Sequence, residues 1–155
     1  MTRTTSASVL FLAFVVLPGS SGAETWPDLS KKHDKAGGGE VDAVVVVAVE
    51  DYVDVPDVVG ARENAEDWFL WFTESRLTPV ENVLLLRDRE GTREGILAAA
   101  AEAAERVSEA GTLWFVFIGH GAPSKDGADG LLLGWDTQQT ALSVYARGVL
   151  QSELM

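Results

Sequence analysis

A parallel α/β sandwich is the fold class that the sequence predicts, and three observations predict it. Val41–Val49 (VDAVVVVAV) is a β-branched run with almost no polar alternation, the mark of a strand covered on both faces. Two later apolar runs, Asn82–Leu86 and Thr112–Ile118, read as further buried strands. Between them lie two stretches with apolar residues at helical spacing, so the order is strand, helix, strand, helix, strand.

The elements follow in order. Arg3, the apolar run Val9–Leu17 and Ser21-Gly22-Ala23 have the layout of an export signal cleaved after Ala23, the run being short for a bilayer span. An uncleaved anchor is the second reading of residues 1–23. Residues 24–40 carry Pro, Lys, Asp and three successive glycines without apolar period, and read as a linker; His33 lies in it as a solvated side chain. The domain proper is 41–155. Residues 50–59 (EDYVDVPDVV) form a polar loop after the first strand. Ala61, Ala65, Trp68, Phe69 and Phe72 recur at helical spacing, which predicts an amphipathic helix over about 62–75 whose aromatics enter the core. Thr92 is placed to cap a second helix, with Ile96, Ala99, Ala100, Ala103, Val107 and Ala110 as its apolar stripe and Gly111 as its C′ residue. After the third strand, Leu131–Leu133 reads as a short extended segment following a turn at Asp129-Gly130, and 140–155 as the start of another helix.

Composition narrows the function. The 155 residues suffice for one domain with a sizeable core, and 46% apolar with 23% charged residues is globular composition. A net charge of −12 weighs against nucleic acid or an anionic membrane as partner. There is no cysteine, so an exported chain of this kind relies on its core, not on disulfides, and carries no acylated cysteine. No Gly-x-Ser-x-Gly elbow, no Gly-x-Gly-x-x-Gly and no phosphate-loop lysine motif occurs. Two histidines without convergent carboxylates make no zinc site, and 126–130 (DGADG) reads as a turn, not a calcium loop; no cofactor and no metal is expected.

His120 remains. In parallel α/β sheets ligands gather at the carboxyl ends of the strands, and Gly119-His120-Gly121 sits at one. Gly119 lets the chain turn off the strand, and the N–H of Gly121 can approach a developing oxyanion. A base beside an oxyanion donor is half of an acyl-transfer site.

From here the sequence resembles the caspase-like cysteine peptidases, specifically bacterial ones related to metacaspases. The resemblance is carried by Ala43–Val49, by Val59–Ala65 (VGARENA) as a helix entry, by Asn82–Leu86, by Thr92 opening a helix, and by Trp114–Gly121 followed by Asp129–Asp136 (DGLLLGWD). It covers roughly residues 41–155. It implies a three-layer α/β/α sandwich with a mainly parallel sheet, the caspase–haemoglobinase fold, incomplete at its C-terminus. It implies a Cys–His dyad that cleaves peptide or protein substrates, with His120 as the dyad histidine, Gly121 as the oxyanion residue and Asp136 as an acidic end of less defined role. Two positions depart. The family's Asn-Asp-Ala reads Asn64-Ala65-Glu66 here, so that Asp67 or Glu66 would have to hold a basic P1 side chain. The cysteine expected roughly 50 residues after the histidine falls beyond Met155, so this polypeptide alone is expected to be inactive. The alternative is a non-catalytic binding module on the same fold. An esterase using His120 with Ser124 is a third possibility.

Overall fold

The structure, a computed structural model, describes residues 9–13, 29 and 35–154. The expected cleavage site at Ala23 and the linker residue His33 lie outside the described residues.

The central strand is β2, Ala43–Ala48, and every one of its side chains is buried. Such a strand needs a neighbour on each side and cover on each face. Its neighbours are β3, Val83–Arg87, with Val44 opposite Val83, and β4, Leu113–Ile118, with Val44 opposite Trp114; both pairings are parallel. The other edge of β4 is lined by β1, Val9–Ala13, also parallel, with Val9 opposite Leu113 and Ala13 opposite Phe117. The order is therefore β1-β4-β2-β3. Val9–Ala13, the described part of the apolar run that reads as the heart of an export signal, is in this structure a strand at the sheet's edge.

Alternation divides β2 between two cores. Val44, Val46 and Ala48 pack with Ala61, Ala65 and Phe72 of the first helical segment, and Val45 and Val47 pack with Ile96, Ala99 and Ala103 of the second. The first helix, α1 (Ala61–Leu70), runs on into one wider turn, 71–75, closed by Arg76 N–H on the Trp71 carbonyl at 3.0 Å. The second, α2 (Arg93–Arg106), starts as its sequence predicts: the Thr92 hydroxyl accepts from Gly95 N–H at 3.1 Å. It ends earlier than the apolar stripe suggests, with Val107 as C-cap. Gly111 is consequently not the C′ residue but part of the next turn, where a Cβ would stand 2.0 Å from the Val41 carbonyl oxygen.

A second, antiparallel sheet follows β4: β5 (Gly121–Pro123), β6 (Gly130–Leu133) and, after α3 (Ala141–Arg147), β7 (Gly148–Leu150), in the order β5-β6-β7. The helix expected over 140–155 is thus confined to 141–147. Its extension would leave Val149 without the fully buried place it takes opposite Leu132. The glycine stretch before β2 is docked, not free: Ala36 and Gly37 donate to the Ser75 carbonyl, Gly39 to that of Arg76, and Gly37 and Gly38 have positive φ.

Among the described residues no helix is long and apolar enough to cross a membrane.

Candidate functional site

The loop 50–59 leaves the end of β2 and is tied down on every side. Glu50 and Asp51 N–H donate to Asp88 Oδ1, at 2.9 and 3.0 Å, just beyond β3. Arg62 donates from Nε to Asp88 Oδ2 at 2.7 Å and also pairs with Asp51, while its N–H, in the first turn of α1, donates to Glu50 Oε2. Burial pushes the Asp88 carboxyl up, but the Asp51 amide, the Arg62 guanidinium and the Glu50 amide outweigh it and hold it below its ordinary value. Farther along, Trp135 Nε1–H donates to the Asp51 carbonyl at 2.7 Å, and Val53 N–H to the Trp135 carbonyl.

This fixed loop presents two groups to His120. The Pro56 carbonyl oxygen lies 2.8 Å from His120 Nε2. A carbonyl can only accept, so Nε2 carries the proton and, in the neutral ring, Nδ1 holds the free lone pair. The Tyr52 hydroxyl accepts from His120 N–H at 2.8 Å and donates to the Leu133 carbonyl at 3.2 Å, with its ring 5.1 Å from the imidazole. Burial pushes the Tyr52 phenol up to about 12, against the opposing pull of the His120 amide; Asp88 adds to the rise.

Both glycines beside His120 matter, Gly119 for a reason the sequence does not show. Gly119 has no positive φ; a Cβ there would stand 2.5 Å from the Tyr52 hydroxyl and 2.9 Å from the Phe117 ring, so the position is needed for close approach, not for a turn. Gly121 begins β5 opposite Leu132. Leu133 N–H donates to the His120 carbonyl at 2.9 Å, which makes 120/133 the hydrogen-bonded pair of the ladder. The next pair, Gly121/Leu132, is then the non-bonded kind, and the Gly121 N–H faces the outer edge of β5, away from β6.

The other sequence candidates fall elsewhere. Glu66 is exposed and paired with Arg87 at 3.0 Å. Asp67 is half-buried on α1; neither it nor Glu66 has a hydrogen bond, ion pair or ring contact with His120 among the described residues. Asp136 pairs through Oδ2 with Arg147 at 2.7 Å, and its buried Oδ1 has no partner among the described residues. The Ser124 hydroxyl donates to Asp126 Oδ1 at 2.6 Å and accepts from Asp129 N–H, so it is spent on its own turn and is not activated by His120. Among the described residues no cluster of three histidine or carboxylate groups could hold a metal ion. Tyr52 and Pro56 are the site residues that sequence reasoning missed; their only signal is membership of a loop that directly follows a buried strand.

No protein-family model matches this chain, and no curated protein matches it. What fold and site define together is a mixed α/β domain with a parallel sheet and an oriented imidazole at the carboxyl end of one strand.

Proposed function

We propose that this chain carries the histidine half of a caspase-like cysteine peptidase site, on the corresponding three-layer fold. The observation that supports this reading best is His120 itself: Nε2 is held by the Pro56 carbonyl, Nδ1 is left as a base, and a Gly121 N–H that faces away from β6 follows directly. A base in this state takes the proton of a thiol, and the N–H stabilises the oxyanion of the tetrahedral intermediate. The chain has no thiol. On the β2 side His120 is closed by Tyr52 and Pro56, so the nucleophile has to come from the other flank of β4, along the edge where β1 now runs. In the exported form, cleaved after Ala23, that edge is open to a thiol-bearing strand from outside residues 24–155. Sequencing the exported protein checks the cleavage: it is expected to begin at Glu24, and retained Met1 refutes it.

The dyad is tested by walking a single cysteine through the four positions that follow Ala13 in the full chain produced without export. At one position the thiol is expected to alkylate readily at mildly acidic pH and to confer hydrolysis of a fluorogenic peptide, both lost in His120→Ala. Four thiols indifferent to His120 would sink the proposal.

A further inference from the structure

The antiparallel ladder is interrupted at the one place where the site is built. His120 and Leu133 form a hydrogen-bonded pair, yet only one of their two mutual bonds is made, from Leu133 N–H to the His120 carbonyl. The reciprocal bond is replaced by a side chain: the Tyr52 hydroxyl sits between His120 N–H and the Leu133 carbonyl, bonded to both. We propose that Tyr52 is a positioning residue, whose inserted hydroxyl sets the His120 imidazole and the Gly121 N–H together and couples them to the loop that carries Pro56.

Three features carry this. The phenol is buried, and nothing else among the described residues bonds to the His120 N–H, so the hydroxyl is integral to the ladder and not an ornament on it. Gly119 is reduced to a hydrogen side chain by the same hydroxyl. Tyr52 also lies four residues before Pro56 on a loop closed by Val58 N–H on the Glu50 carbonyl, so the partners of the His120 backbone and ring move as one unit. A direct 120–133 bond would draw β6 toward the histidine backbone by the width of an oxygen atom. Ring and Pro56 carbonyl would then no longer be in register. The catalytic meaning of this rests on the peptidase reading; the geometry does not.

The test is made on the full chain with 15N-labelled histidine, using His33→Gln so that His120 gives the only imidazole signals. The wild-type site is expected to show the Nε2–H tautomer. Tyr52→Phe keeps the ring and removes the bridge, and the tautomer ratio is expected to fall roughly five-fold, about the worth of one ordinary hydrogen bond, with a displaced His120 amide resonance. Val149→Ala, which thins the same core without touching the hydroxyl, is expected to lower stability and leave the tautomer unchanged. If Tyr52→Phe fails to fold, 3-fluorotyrosine in a Tyr145→Phe background puts one 19F label at Tyr52. Its shift is expected to follow His120 protonation. An unchanged tautomer in Tyr52→Phe, or a 19F shift flat through the imidazole titration, overturns the proposal. A failed cysteine walk leaves both measurements intact, so the two ideas fail separately.

Discussion

The two ends of the parallel sheet use the same kinds of residue to opposite ends. At the amino ends of the strands, Asp42 is buried, with Oδ1 accepting from Thr112 N–H at 2.8 Å and Oδ2 from Trp114 Nε1–H at 2.9 Å and Arg76 at 3.3 Å. The Arg76 guanidinium lies over the Trp71 and Trp114 rings, and Asn82 donates to the Asp42 carbonyl. Both carboxylate oxygens of Asp42 and its carbonyl are thus engaged, and Arg76 Nε is the one buried side-chain polar atom of this cluster without a partner among the described residues. At the carboxyl ends, Asp88, Arg62 and Asp51 are also bonded to one another, but they hold a loop whose Tyr52 and Pro56 bond a histidine that keeps one ring nitrogen without a partner among the described residues. A carboxylate, an arginine and aromatics thus make a rivet when they close on a buried carboxylate, and a candidate site when they hold a loop against a histidine with one ring nitrogen to spare.

That contrast can be broken in order of expected effect. Asp42→Ala takes the carboxylate from a half-buried guanidinium, an indole N–H and a backbone N–H at once, and is expected to cost about 3 kcal/mol in a denaturant melt. His120→Ala is expected to cost less than about 1 kcal/mol in the same experiment; equal losses from the two would erase the distinction between rivet and site. Gly119→Ala forces a Cβ against the Tyr52 hydroxyl and the Phe117 ring, an overpacking expected to cost about 2 kcal/mol. Because it displaces the hydroxyl, it is also expected to mix the His120 tautomers, which histidine 15N shifts read directly.

The smallest effect lies at neither end. Arg93 ties the start of α2 to β7 and the segment after it, bonding the Gly148 carbonyl and Glu153, both at 2.8 Å. The Arg93 guanidinium and the Leu150 amide hold the Glu153 carboxyl at about 2, below its ordinary 4.5. A carboxyl held low in the folded state contributes stability above its ordinary value and loses it as pH falls through the folded one. Glu153→Gln is therefore expected to cost under about 1 kcal/mol at pH 7, and thermal melts of variant and wild type are expected to converge between pH 4.5 and 2.

How much of this was legible in advance follows from how far each feature reaches along the chain. The β2, β3 and β4 strands, α1, α2 and the Thr92 cap rest on side-chain pattern within a dozen residues, and the pattern shows them. The break of α3 at Gly148 and the strand β7 were not legible, because the burial of Val149 depends on β6, far back in the sequence. Gly119 and Gly111 were legible as special and misread in their reason, since what crowds them comes from Tyr52 and Val41.

By itself, then, the sequence determined a mixed α/β domain with buried parallel strands, an acidic surface, and a glycine-flanked histidine at a strand end as the residue to watch. Periodicity, charge and flanking glycines are local quantities, and they suffice for that. Only the tertiary structure decided which nitrogen of His120 faces the Pro56 carbonyl, that Tyr52 opens the β5–β6 ladder beside it, and that the flank of β4 away from β2 is lined by β1. Those properties depend on hydrogen bonds spanning 64 residues from Pro56 to His120 and 81 from Tyr52 to Leu133, distances over which no local pattern of side chains carries information.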